Sequence, residues 1–413
     1  MSSRDSALPL PVAERVAALD ILRGFALMGI LIMNMPGFTN SFFVEADGAH
    51  LWPGPLDQRA EEVRDALFSG KFNSMFSLLF GIGFTLQFAR LQMRDPQAAT
   101  GIYLRRLAAL LAFGVIHALV FWPGDVLHIY AILGLALVLG LRRLSDRALI
   151  GLIAAALVFP AVSGLLRLWV FTPELTAQRV ALAQMLEASN NLGYGQGGFL
   201  DMVRENVRVM AFMYGDPISL WSALSFHVML GMTMLIGVLA GRRRWVQRAA
   251  ELMPRIRRLM WWALAVGLSC GAAFTVIGAL HREPGPSVIK VLGSACYSVS
   301  RLAMMIFYVL VIIRLAHSTR SGPWLRPWAA AGRLPLTNYL MQTAICLVLF
   351  QHWGLGLWLK VGPAAGLVLA LAIFFLVQVP WSLWWLSRHD RGPMEALWAR
   401  LTYGVRVGTS GAS

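Results

Sequence analysis

Three polar residues interrupt the apolar run LDILRGFALMGILIMNM at residues 19–35: Asp20, Arg23 and Asn34. An ionisable group at membrane depth costs about 2.5–3.5 kcal/mol, so each one requires a partner or a purpose. Asp20 and Arg23 are three apart and can pair on one helical face, as an ion pair that locks packing would. Arg23 and Asn34 are eleven apart, three helical turns, and project on nearly the same side. Lys290 and Arg301 repeat that spacing. Two such lanes imply a wet path across a membrane; for the second pair the alternative is a snorkelling Lys290 and a packed Arg301. His50, His117, His128 and His227 gather toward one side. In WPGDVLHIYAILG, Asp125 stands three residues before His128 at a helix start. There a carboxylate orients an imidazole for general-base work, and there an ordinary Asp also caps a helix. GRLPLTNYLMQT at 332–343 sets Arg333, Thr337, Asn338, Tyr339 and Gln342 at a helix entry. Asn338 and Gln342 share a face suited to helix–helix hydrogen bonds, or to a ligand mouth with Arg333 as its anion contact. HExxH, CxxC, Walker and GxGxxG patterns are missing, so no metal and no tightly bound cofactor is expected. The glycines of LFGIGFTL, Gly81 and Gly83, read as helix-packing positions.

These residues need membrane helices to position them. Of 413 residues, 57% are hydrophobic and 14% charged, which is more apolar surface than a soluble domain can bury. Ten stretches have the length of a span, at roughly 16–38, 68–90, 105–122, 126–141, 147–171, 217–240, 259–280, 287–313, 335–354 and 362–386. The net charge of +15 has a topological reading rather than a nucleic-acid one. Arg105 and Arg106, Arg142 and Arg143, and the cluster from Arg242 to Arg258 fall on one side. The opposite side begins with an acidic segment from Glu45 to Asp65. That bias places both termini in the cytoplasm. The expected fold is therefore all-α, one polytopic helix bundle over 1–413, with 172–216 as an extracytoplasmic helical insertion. Within that insertion ELTAQRVALAQMLEAS and FLDMVRENVRVMAFM read as two amphipathic helices split by a turn at NNLGYGQGG, lying at the outer interface or capping an outward site. No cleavable leader and no 20–50 residue repeat is expected. Cys270, Cys296 and Cys346 fall inside spans and read as packing residues.

RVAALDILRGFALMGILIMN, KFNSMFSLLFGIGF, GDVLHIYAILG, GRLPLTNYLMQT and GPMEALWARLTYG together resemble the YeiB-like family of bacterial inner-membrane proteins. More distantly, the first helix resembles two groups of membrane acyltransferases: the lysosomal heparan-glucosaminide acetyltransferase and the bacterial O-acylators of surface polysaccharides. The resemblance implies an acyl-coenzyme A entering from the cytoplasm and an acyl group delivered to an acceptor on the other side. The polysaccharide enzymes carry a His eleven residues after the Arg matching Arg23, where this chain has Asn34. The heparan enzyme has an Asn there and its essential His in the following outer loop before a Trp, for which the nearest counterpart is His50 in AHLWPG.

The expectation is thus a transmembrane acyltransferase acting on a hydroxyl or amine of an extracytoplasmic glycan, lipid or small molecule, with acyl-coenzyme A as co-substrate. His50 is the expected base, with His128 and Asp125 in reserve; Asn34 orients the acyl carbonyl or the acceptor. Arg23, Arg105, Arg106, Arg301, Arg333 and Asn338 are the expected donor contacts. The bilayer is a partner, nucleic acid is not, and a homodimer is left open. The rival reading is a transporter of an anionic or proton-coupled solute.

Overall fold

The computed structural model describes residues 17–44, 51–318 and 322–404, and the regular elements among them are all helical. In chain order they are α1 (Ala17–Thr39), α2 (Pro55–Leu67), α3 (Lys71–Arg94), α4 (Ala99–Ile116), α5 (Leu127–Leu139), α6 (Asp146–Val170), α7 (Pro173–Gly195) and α8 (Phe199–Gly215). There follow α9 (Pro217–Arg242), α10 (Ala249–Leu280), α11 (Val288–Ala316), α12 (Gly322–Arg333), α13 (Pro335–Phe350), α14 (Pro363–Ala372), α15 (Val379–Leu386) and α16 (Pro393–Tyr403). A π turn at His117–Phe121 continues α4, and a second at Ile373–Gln378 joins α14 to α15.

Eight helical stretches are long and apolar enough to cross a membrane, and α5 and α13 are two shorter apolar helices. These ten match the ten apolar runs of the sequence, so the chain is an all-α, multi-pass membrane bundle. In hydrocarbon every backbone N–H and C=O must be satisfied internally, and helices do this within each segment. At 1.5 Å per residue, the 13 residues of α5 span only about 20 Å, less than the ~30 Å of hydrocarbon. The WPGDV connection before α5 therefore dips below the surface. Irregular backbone at that depth has to be enclosed by protein, and Trp122, Asp125 and Val126 are all buried.

Burial separates centre from rim. In α1, 78% of the most apolar window is buried, against 17% in α6 and in α10, so α1 runs through the middle and the other two face lipid. Lipid tails are as apolar as Leu, so close backbone approach drives the packing. A Cβ on Gly81 of α3 would lie 2.1 Å from the Met234 carbonyl of α9, and one on Gly237 would lie 2.1 Å from the Leu78 carbonyl. Gly83, one residue past Ile82, has nothing within 4 Å. Of the two glycines in LFGIGFTL, Gly81 alone makes this crossing. Helix α12 packs against the first turns of α1, with Gly332 on the Asp20 carbonyl.

The 172–216 segment forms two helices, but the break is shorter than the expected NNLGYGQGG turn. Helix α7 runs on to Gly195, and the chain turns at Gln196–Gly198. The reason is packing: Asn190 and Tyr194, read as turn residues, are buried and bonded. Ser41 Oγ donates to Asn190 Oδ1 at 2.9 Å, Asn190 Nδ2 donates to Glu205 Oε2 at 2.9 Å, and Tyr194 Oη donates to Asn206 Oδ1 at 2.9 Å. Trp358 Nε1 donates to Asn191 Oδ1 at 3.0 Å. The α7–α8 hairpin is thereby seated on the C-terminal ends of α1 and α13.

Gly81→Ala should lower stability by about 1–3 kcal/mol, the usual cost of overpacking. Gly83→Ala should be neutral or stabilising by up to about 1 kcal/mol, since Ala is the better helix former. Thermal unfolding of the two variants in detergent compares them directly.

Candidate functional site

The site is built where α4 meets α5. A Cβ on Gly114 would lie 2.3 Å from the His128 backbone nitrogen, so only glycine lets the first turn of α5 rest against α4 there. The π turn then carries His117 inward, as such turns do at many functional sites. Trp122 pins the connection, donating from Nε1 to the Gly37 carbonyl at 2.9 Å and stacking on Phe38 with ring centroids 4.4 Å apart. The result is one buried carboxylate between two imidazoles. His117 Nδ1 lies 2.9 Å from Asp125 Oδ1, and His128 Nδ1 lies 2.8 Å from Oδ2. His117, Asp125 and His128 are 2%, 3% and 6% exposed, so water does not compete for these bonds. Oδ2 also accepts from the His128 backbone N–H at 3.0 Å in the first turn of α5, whose N-cap position is taken by Val126.

The chain of contacts extends both ways. Toward α13, His117 Nε2 meets Thr343 Oγ1 at 2.9 Å, and Tyr339 Oη reaches Asp125 Oδ1 at 3.4 Å. Toward the hairpin, His128 Nε2 lies 2.7 Å from Tyr214 Oη, and Tyr214 Oη lies 3.1 Å from His227 Nε2. His227 Nδ1 meets the Ala223 carbonyl at 2.6 Å. From Thr343 to the Ala223 carbonyl there are six contacts. Neutral side chains supply only five hydrogens to them, one each from Thr343, His117, His128, Tyr214 and His227. The six contacts therefore share one hydrogen fewer than would fill them all. Tyr214 Oη can donate toward either imidazole. Histidine and tyrosine, side chains of the types that pass protons, thus stand in line contact by contact.

The other expected residues are more dispersed. Arg23 pairs with Asp20 at 2.6 Å and keeps 28% of its side-chain exposure. Asn34 is half-buried in α1, with no hydrogen bond to its amide among the described residues. His50 lies outside the described residues. Arg105 is exposed, whereas Arg106 stacks 3.5 Å from the Trp398 ring of α16. Among the described residues, half-buried Arg333 has no partner for Nε and half-buried Arg391 none for Nη1. Asn338 is fully buried and donates to the Ala331 carbonyl at 2.9 Å and Ser382 Oγ at 3.0 Å. Gln342 donates to the Leu27 carbonyl and to Gln378 Oε1, and Gln378 donates to the Asn338 carbonyl. Asn338 and Gln342 thus sit in a helix–helix network and not at an open mouth. The two lanes end differently as well. Lys290 donates to the Glu283 and Gly285 carbonyls at the outer surface, while Arg301 is sealed at 2% exposure. A small open cleft lies between α1, α2 and α14, lined in part by Met35, Thr39, Glu61 and Arg64; Asn34 is not on its wall.

Reading the sequence did not single out Tyr214, Thr343 or Glu395. Glu395 of α16 caps α13, accepting from the Leu336 and Thr337 backbone at 2.7 and 3.1 Å and from Thr337 Oγ1 at 2.5 Å. Burial raises its carboxyl above the ordinary 4.5, against the pull of those donors. The folded chain then holds this proton more tightly than the unfolded chain, so the contribution is greatest below pH about 4.5 and declines as pH rises through the folded value. Glu395→Gln should flatten that decline in unfolding midpoints measured across a pH series.

The sequence aligns with known proteins along nearly its whole length. The family model described as "Protein of unknown function (DUF418)" matches residues 240–405, from the end of α9 into the tail. The uncharacterized protein YxaH of Bacillus subtilis (strain 168) is 29% identical over 410 residues, covering 96% of each chain. The uncharacterized protein YeiB of Escherichia coli (strain K12) is 28% identical, over 94% of this chain and 96% of its own. An uncharacterized 39.9 kDa protein from the amylase 3′ region of Bacillus acidopullulyticus is 26% identical over 96% of each. Relatives align along nearly its whole length and the family model covers its C-terminal helices, so the chain is similar throughout to the YeiB-like proteins.

Proposed function

We propose that this protein is a bacterial inner-membrane acyltransferase that moves an acyl group from cytoplasmic acyl-coenzyme A to a hydroxyl or amine of a glycan, lipid or small molecule outside. The observation that carries the reading is the Asp125-oriented His128, whose Nε2 faces the half-buried Tyr214 and His227 beneath the α7–α8 hairpin. Asp125 holds the imidazole in the Nδ1–H tautomer, which leaves Nε2 free to accept a proton. His128, held in reserve behind His50 by the sequence, takes the role of base.

In the reaction, the acceptor hydroxyl gives its proton to His128 Nε2 directly or through Tyr214, and its oxygen attacks the thioester carbonyl carbon. The tetrahedral adduct collapses, the carbon–sulfur bond breaks, and the departing thiolate takes the proton back as coenzyme A. Asp125 balances the imidazolium in between, as a buried carboxylate does for a charged histidine. At the cytoplasmic face, the unpartnered nitrogens of Arg333 and Arg391 and the exposed part of Arg23 are donors suited to the phosphates of the donor.

A proton-coupled transporter is the second reading. It is favoured by one observation, the unbroken run of titratable groups from His227 to His117, since such chains mark proton paths in membrane proteins. Counterflow of a labelled solute without any covalent product would select it.

Protein in nanodiscs should bind coenzyme A and release thiol from acetyl-coenzyme A when glycerol or glucosamine is offered as acceptor. His128→Ala should cut that release by about 10²–10⁴-fold and leave coenzyme A binding intact. Arg333→Ala should weaken binding about tenfold, equivalent to roughly 1.4 kcal/mol. Failure of the native protein to bind coenzyme A at millimolar concentration would overturn the reading.

A further inference from the structure

Two cations lie within the bundle with almost no access to water: Lys71 of α3 is 1% exposed and Arg301 of α11 is 2% exposed. Buried charges are costly unless paired, and two of the same sign near each other are costlier still. Arg301 Nε donates to Ser74 Oγ at 2.5 Å, and its guanidinium lies 5.2 Å from the Phe226 ring centroid. Its Nη2 is buried with no partner, and no carboxylate lies within 4 Å of it among the described residues. Among the described residues Lys71 Nζ donates to one backbone oxygen, that of Asp65, at 2.7 Å, and lies 5.9 Å from the Tyr297 ring centroid. Tyr297 is half-exposed, and its hydroxyl is 3.3 Å from Ser69 Oγ, so it borders the pair on its more open side.

The position of this pair relative to the proton chain gives it meaning. Phe226, on which Arg301 rests, adjoins His227 with ring centroids 6.1 Å apart. His227 ends the run that begins at His128. A ligand held by Arg301 would therefore have the His128 chain one aromatic ring away.

We propose that Lys71 and Arg301 form a binding site for a phosphate group, carried by a lipid headgroup or by a free solute, on the molecule that the His128 chain serves. Two adjacent positive charges, of which Lys71 alone has a carboxylate (Asp65) in its neighbourhood, match a phosphate monoester dianion better than a carboxylate. A guanidinium oriented through Nε presents its remaining N–H groups as a fork to phosphate oxygens. The proposal goes beyond the acyl-transfer reading, because a transported solute would meet the same two cations.

The test measures thermal unfolding of the purified protein in phosphatidylcholine nanodiscs. Inorganic phosphate and glycerol 3-phosphate are titrated in one arm, and phosphatidic acid is added to the bilayer in the other. At least one arm should raise the unfolding midpoint saturably, and acetate at equal ionic strength should not; the responding arm identifies the source of the phosphate. Lys71→Gln and Arg301→Gln should each weaken the effect at least about tenfold, with Arg301→Lys intermediate. Should Arg301→Gln fail to fold, Lys71→Gln and Lys71→Met carry the comparison. No saturable shift from any phosphate in the native protein, or an equal shift in the Lys71 variants, would overturn the proposal. Phosphate binding without coenzyme A binding would leave this site standing and remove the acyl-transfer reading.

Discussion

A single carboxylate at membrane depth, Asp125, is shared by imidazoles from both sides of a turn, and much of the bundle is arranged around it. Its oxygens hold the end of α4 through His117 and the start of α5 through His128. Beyond His117 lies α13 through Thr343, and beyond His128 lie α8 and α9 through Tyr214 and His227. A buried carboxylate is tolerable when its lone pairs are met and its charge is balanced, and here one network does both. Asp125 therefore joins five helices, α4, α5, α8, α9 and α13, that lie far apart in the chain.

Helix α13 is the second organiser. Its N-terminus is held by Glu395 from the tail, its middle by Gln378 and Ser382 from the α14–α15 span, and its outer half by His117. In hydrocarbon each unmatched amide is costly, so these side chains fix where α13 sits among its neighbours more sharply than Leu-on-Leu contacts would. That explains why a helix of only 16 residues can hold the centre of a bundle whose rim helices are much longer.

The fold was legible because membrane insertion writes itself in composition: apolar runs of span length read out the ten membrane helices, the two short ones included. The Asp125–His128 pair was legible too, since residues three apart at a helix start meet by local geometry alone. His117 could be assigned to the same side but not to Asp125, because that contact depends on a π turn and on the Gly114 approach, neither of which has a periodic signal. Glu395 was beyond reach for a different reason: its partners lie 58 and 59 residues earlier. The matching lanes Arg23–Asn34 and Lys290–Arg301 show the limit of spacing arguments. Equal intervals set a shared direction, yet Lys290 ends on loop carbonyls and Arg301 in the interior.

Both π turns feed α13, one presenting His117 and the other Gln378. Each holds a residue that regular α-helical winding would have no room for. Removing one residue from either would restore ordinary winding and rotate everything downstream by about 100° relative to the bundle. Chain length in these two short segments is consequently under tighter constraint than side-chain identity, and homologous proteins that preserve the polar spine must preserve the local residue count along with it.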